Sequence, residues 1–175
     1  MRFTVSVAAI AATLVAATPA TAASSATATA NARGIVLKSL SLSNTSDLDF
    51  GTVAADATNP GTVSVDADTG ARATTGAVVA LPGAFARGQF DGLGDPNANV
   101  TLTLTQPAGG VICSGGPACP ASIPAALSLD QGGSTSRTTD GLGRFTVFVG
   151  GDFTIAANQQ NGTYSSQFDL TAVYP

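Results

Sequence analysis

The chain has 175 residues and a net charge of −4, with 7 basic and 11 acidic groups and no histidine. Every acid is an aspartate, Lys38 is the one lysine, and glutamate and tryptophan are absent. So few cations leave no electrostatic footprint for nucleic acid or anionic lipid, and the lack of His and Glu removes the commonest general acids and bases.

The first residues, MRFTVSVAAIAATLVAATPATAA, carry Arg2, an apolar run from Phe3 to Ala17, and then Pro19 among small residues. This is the pattern of a secretory signal peptide over residues 1–22. Ala20-Thr21-Ala22 fits the small-x-small rule, so cleavage is expected after Ala22, with Ala23 as second choice. The run is shorter than the ~20 residues that span a bilayer and lacks a basic stop-transfer flank, so no stable membrane insertion is expected. Export places the protein in the periplasm, on the cell surface or outside the cell. About 150 residues then remain, the length of one domain with a real core.

Residues 23–32 are small and polar and predict a flexible mature N-terminus. From Arg33, GIVLKSLSL puts Ile35 and Leu37 on one phase and Leu40 and Leu42 on the other, which predicts a first strand with a bulge or break. In SDLDFGTVAA, Leu48 and Phe50 alternate with Asp47 and Asp49. GTVSVDADTG predicts a strand through Val63 and Val65 that turns at Asp66 to Gly70. TTGAVVALPG and GQFDGLG are shorter candidates, and NVTLTLTQP aligns Val100, Leu102 and Leu104 on one face.

PAGGVICSGGPACPASIPA is dense in Pro and Gly and predicts a long loop. Cys113 and Cys119 lie inside it, separated by SGGPA. In an exported chain an even pair at this spacing predicts a local disulfide that clasps a loop tip. A metal or redox pair is the poorer reading, since there is no His and the spacing is not that of a redox motif. LSLD and GRFTVFVGGDFTIAA follow. Phe145, Val147 and Val149 share a face, Gly150-Gly151 predicts a two-residue hairpin, and Phe153 and Ile155 continue beyond it. The chain closes on NGTYSSQFDLTAVYP, where Tyr164, Ser166, Phe168, Leu170, Ala172 and Tyr174 alternate with polar residues as one regular strand. Short strands with turn signals between them mean an antiparallel sandwich or an open barrel.

No nucleophile with its base is legible, so the chain is expected not to be an enzyme and to use no cofactor. Asp95, Asn97 and Asn99 have the alternate spacing of calcium-loop oxygens, but the positions that should hold Gly and Glu hold Val100 and Gln106. Asp-Pro-Asn turn chemistry is the better reading there, as it is for Asp66 and Asp68. No metal ligand is assigned. Asn44, Asn99 and Asn161 each head an Asn-x-Ser/Thr triplet. Phe50, Phe90, Phe145, Phe153, Tyr164, Phe168 and Tyr174 are expected to fill the core.

In order, ATATANA, SDLDFGTVAA, GTVSVDADTGAR and FVGGDFTIAANQQNGTYSSQFDLTAVYP resemble a bacterial secreted family catalogued as domain of unknown function four thousand four hundred and two. The likeness runs from about Ala26 to Tyr174. Its specific parts are Asp-Phe-Gly-Thr at 49–52, Gly-Thr-Val at 61–63, and the Ala-Asn-Gln leading to Gly162-Thr163-Tyr164. It implies no activity, ligand or site. More distantly, the chain is similar to chaperone-usher pilus subunits and spore-coat-U-like proteins, which also end in a Gly-x-Tyr strand. That likeness implies an immunoglobulin-like sandwich that lacks a strand and is completed by a neighbour's N-terminal extension. The segment before Arg33 offers Ala and Thr where such a donor presents bulky residues; GIVLKSLSL is both a candidate donor and a candidate first strand.

The expected architecture is therefore all-β, a single antiparallel β-sandwich over residues 33–175, immunoglobulin-like or pilin-like. The expected role is a non-enzymatic structural subunit of a surface or fimbria-like assembly, partnered by copies of itself or related subunits and not by nucleic acid. The alternative is a monomeric periplasmic or cell-surface binding module that uses the loop around Cys113 and Cys119 for a ligand of unknown class. A small outer-membrane barrel fits less well, because too few strands have the length and aromatic girdles it needs.

Overall fold

The computed structural model describes residues 25–114 and 121–175, so the expected signal peptide and Cys119 lie outside the described residues. The chain divides into two units, Met1–Ile35 and Val36–Pro175. In the first, residues 25–35 are exposed and carry no regular secondary structure. In the second, the strands run in chain order as β1 (Ser41–Ser46), β2 (Val53–Ala54), β3 (Gly61–Val65), β4 (Arg72–Gly76), β5 (Val79–Ala80), β6 (Gly88–Leu93) and β7 (Asn99–Thr105). They continue as β8 (Val111–Ser114), β9 (Ala121–Leu129), β10 (Ser136–Thr138), β11 (Arg144–Ile155), β12 (Tyr164–Ser165) and β13 (Asp169–Val173). The chain is all-β with antiparallel pairing throughout the described ladders.

The larger sheet has the order β1-β6-β11-β9-β8-β12, with β3 on β11 and β4 on β3; a smaller sheet has the order β10-β7-β13, and β2 pairs with β5 alone. Residues from both main sheets share one core. Val100 and Leu102 of β7 pack with Leu127 and Leu129 of β9 and with Phe145, Val147 and Val149 of β11, a sandwich-like arrangement. A second cluster joins Val63, Val78, Ile123, Ala125, Phe153 and Ile155. Each fully buried side chain among these, such as Val63, Val100, Leu102 or Val147, stabilises the fold by about 1.5–3 kcal/mol. The seven aromatics assigned to the interior all belong to these clusters or pack against them.

Two expectations about the strands need correction, the first along β11. Gly150-Gly151 is not a turn: β11 runs through both glycines, and Phe145, Val147, Val149, Phe153 and Ile155 all stay on the buried face. The glycines mark a handover. On one side β6 pairs with residues 144–149 and β3 takes over from Gly151, while β9 pairs across the gap from Val149 to Phe153. Neighbouring backbone crowds the spot. A Cβ on Gly150 would lie 2.2 Å from the Val65 carbonyl oxygen, and one on Gly151 2.4 Å from that of Ala126. Glycine here admits close backbone approach, not a reversal.

The long loop around the cysteines is the second correction. Cys113 lies within β8, which forms a hairpin with β9. Pro124 is tolerated inside β9 because the strand changes partners there: β8 pairs with Ala121 to Pro124, and β11 begins at Ala125.

The ends of the chain differ from expectation as well. The first strand begins at Ser41, not near Arg33, because Leu40 and Leu42 are the first side chains to pack on the core. Ile35 and Val36 are 72% and 96% exposed. The last strand is broken: β12 joins β8 in the larger sheet, residues 166–168 cross over, and β13 joins β7 in the smaller one. Its alternation survives the crossing, so Tyr164, Phe168, Leu170, Ala172 and Tyr174 all remain half-buried.

Polar links tie the layers together. The Gln106 side-chain amide acts as a substitute peptide group. Its nitrogen donates to the Leu127 carbonyl and its oxygen accepts from the Leu127 N–H, both at 2.8 Å. Arg137 of β10 points inward and forms a buried ion pair with Asp130, while also donating to the carbonyls of Ser134 and Ser136 at 2.9 Å. Asp140 closes the turn before β11 by accepting the backbone N–H groups of Arg144 and Leu142; these two bonds hold its carboxyl below the ordinary value.

Candidate functional site

The strands nearest the two ends of this unit run beside each other without pairing. β1 is hydrogen-bonded to β6 and β13 to β7, and among the described residues no ladder joins β1 to β13 or β2 to β12. At one end the gap is closed by Tyr174. Its hydroxyl donates to the Lys38 carbonyl at 3.0 Å and accepts the Asp95 N–H at 2.6 Å. Gly94 makes room for it, since a Cβ there would sit 2.6 Å from the Tyr174 oxygen. Tyr174→Phe removes both bonds and leaves the part-buried Asp95 N–H unpaired. Stability is expected to fall by about 1–2 kcal/mol, read as a lower urea midpoint with an unchanged slope.

Away from Tyr174 the gap widens into a seam of about 660 Å³ between residues 48–55 on one side and 159–168 on the other. Its floor is core: Leu48, Phe50, Ile112, Ile123, Phe153 and Ile155 line it. Phe50 stands edge-on to Phe153, ring centroids 4.7 Å apart at 87°. Its rim is polar and nearly uncharged, made by Gln159, Gln160, Asn161, Thr163 and Thr52, with Asp49 as the charged residue among those lining it. An apolar trough with an amide rim thus lies beside strand edges that do not pair with each other.

Both walls are held in place by specific contacts. Arg72 donates to the carbonyls of Phe50 at 3.2 Å and Leu81 at 2.9 Å and lies 4.6 Å over the Phe85 ring, so the β2–β5 ribbon is pinned as one wall. Asp49 accepts the Gly51 N–H at 2.7 Å, and its backbone pairs with Ala86. Opposite, the Tyr164 hydroxyl donates to the Gln160 carbonyl at 2.6 Å and accepts from the Gln159 amide at 2.8 Å. Asn158 N–H reaches across to the Asp56 carbonyl at 2.8 Å.

Other residues weighed from the sequence fall elsewhere. Asp95 to Asn99 form the turn into β7: Asn97 adopts φ 55°, and Asn99 accepts the Thr138 hydroxyl at 3.0 Å. Asp66 caps the Thr69 N–H and hydroxyl at 2.7 Å, while Asp68 accepts the Gln131 N–H. Among the described residues no group of three or more His, Cys, Asp or Glu is placed to hold a metal ion. Cys113 sits at the paired end of the β8–β9 hairpin, opposite Ser122. Sequence reasoning missed the seam itself, because a missing ladder between two strands leaves no mark in either strand's own pattern.

No curated protein and no solved structure shows a significant match to the chain. A family model described as Domain of unknown function (DUF4402) matches residues 40–174, from the residue that first enters the core to the tyrosine that closes the seam, and the chain belongs to that family.

Proposed function

We propose that the chain is a non-enzymatic, exported structural subunit of a surface or fimbria-like assembly, with copies of itself or related surface subunits as partners. The observation that carries this reading is the open seam, whose floor of core side chains lies between strands that do not pair. An extended segment laid along it would cover apolar surface and gain backbone hydrogen bonds, the physics of strand addition. The same chain offers such a segment. Ile35, Val36 and Leu37 are 72%, 96% and 44% exposed. Arg33 and Lys38 flank them, cations that complement Asp49 in the seam. Donor and acceptor on one chain make a heterologous contact, which grows into a filament when its rotation does not close. The export and the Cys113–Cys119 disulfide belong to the same reading and rest on residues 1–22 and on the cysteine spacing.

Ile35→Ser, Val36→Ser and Leu37→Ser combined test it. These side chains are exposed, so the folded subunit should keep its melting temperature while oligomers disappear from gel filtration. Oligomers that persist unchanged in the triple variant would refute the donor assignment.

A further inference from the structure

We infer that Asn161 is a site of spontaneous deamidation on the rim of the seam. The reaction needs three things at one place: an Asn side-chain amide, a following backbone nitrogen free to attack it, and a peptide link outside any strand ladder so that a five-membered ring can close. Asn161-Gly162 supplies all three. Both residues are exposed and lie in the irregular segment between β11 and β12. Among the described residues, neither the Asn161 side-chain amide nor the Gly162 N–H has a hydrogen-bond partner. Glycine adds no side chain to hinder closure.

The other described asparagines each lack one element. Asn44 bonds to Asp47 and Ser46 and precedes a β-branched threonine. Asn59 precedes Pro60, which has no N–H to attack with. The nitrogens after Asn97 and Asn158 are engaged, Ala98 N–H with the Thr139 hydroxyl at 2.9 Å and Gln159 N–H with the Ala156 carbonyl at 3.2 Å. Asn99 opens β7, accepts the Thr138 hydroxyl with its side-chain oxygen and precedes the β-branched Val100. Asn31 is exposed and free of structure but precedes Ala32, whose side chain slows the closure.

In the step itself, the Gly162 nitrogen loses its proton and bonds to the Asn161 side-chain carbonyl carbon. The C–NH2 bond breaks and ammonia leaves with the proton. Water then opens the succinimide at one carbonyl or the other, giving aspartate or isoaspartate. The net exchange is amide and water for carboxylate and ammonium. Each conversion adds a negative charge to the rim that already holds Asp49. In the isoaspartate form it also adds a methylene to the backbone just before β12, where Gly162 already lies so close to β8 that a Cβ would meet the Ser114 hydroxyl oxygen at 2.9 Å.

The test ages the full chain in mildly alkaline buffer at physiological temperature, following charge variants by ion exchange and locating the change by peptide mass mapping. Asn161 is expected to convert first and Asn31 to lag behind it. Asn161→Gln should abolish the early acidic variant, and Gly162→Ala combined with Ser114→Ala, which relieves the crowding, should lose most of it. Conversion of Asn31 at an equal or faster rate, or an early acidic variant that survives Asn161→Gln, would overturn the assignment.

Discussion

Methionine in place of Arg137 is expected to destabilise the fold by about 3–5 kcal/mol, because it leaves the Asp130 carboxylate buried without a counter-charge. Both side chains are almost fully covered, at 4% and 8% exposure. Arg137 stands opposite Val100 in the β10–β7 ladder and so faces the interior. It anchors the turn from Asp130 to Ser134, where Gln131 and Gly132 both take positive φ. Adding Asp130→Asn to Arg137→Met should recover part of the loss by removing the stranded charge. Recovery stays partial because the carbonyls of Ser134 and Ser136 still lose their donor. Urea unfolding of the two variants beside the parent measures both effects; a single variant as stable as the parent would show that the pair contributes nothing.

Gly150→Ala is the second change with a large expected effect. The added methyl would meet the Val65 carbonyl oxygen at 2.2 Å and the Ala67 nitrogen at 2.5 Å, and both are backbone atoms that no rotamer change can move aside. Overpacking of this kind costs about 3 kcal/mol, and here it also separates β3 from β11 at the point where β6 ends. Gly141→Ala provides the contrast. A Cβ there meets nothing within 4 Å, so its effect should stay within about 0.5 kcal/mol. Equal stability of the two variants would mean that the strand handover at Gly150 is wrongly placed.

Much of the sheet architecture was legible residue by residue. β3 and β7 follow directly from the alternation of Val63 with Val65 and of Val100, Leu102 and Leu104, since a period of two with one apolar face has one cheap solution. The family was legible too, from the runs at 49–52, 61–63 and 157–164. What failed depended on partners distant in sequence. Gly-Gly permits either a hairpin or a close strand crossing, and the choice was made by Val65 and Ala126 pressing in from both sides. Pro124 argued against a strand because a local rule does not know that β9 exchanges β8 for β11 at that residue.

The two ends show the same limit. Nothing local distinguishes Ile35 and Leu37 from Leu40 and Leu42, yet the second pair packs on the core and Ile35 is left exposed. The break at residues 166–168 comes from the need of one alternating segment to serve two sheets. The Arg137–Asp130 pair went unseen because seven residues across a turn is no recognised spacing. Gln106 stands where a calcium loop would carry Glu, yet its amide pairs with the Leu127 backbone, a partner that no local spacing names.

The central proposal is that the seam between residues 48–55 and 159–168 is completed by another chain. Its most direct test isolates the protein from its native envelope and compares unheated and boiled samples in detergent, beside a gel-filtration profile. Subunits joined by strand addition should run as a ladder that collapses on boiling to a single band of subunit size. A single monomer band under both conditions, with a monomeric gel-filtration profile, would contradict the claim and turn attention to the loop between Cys113 and Cys119.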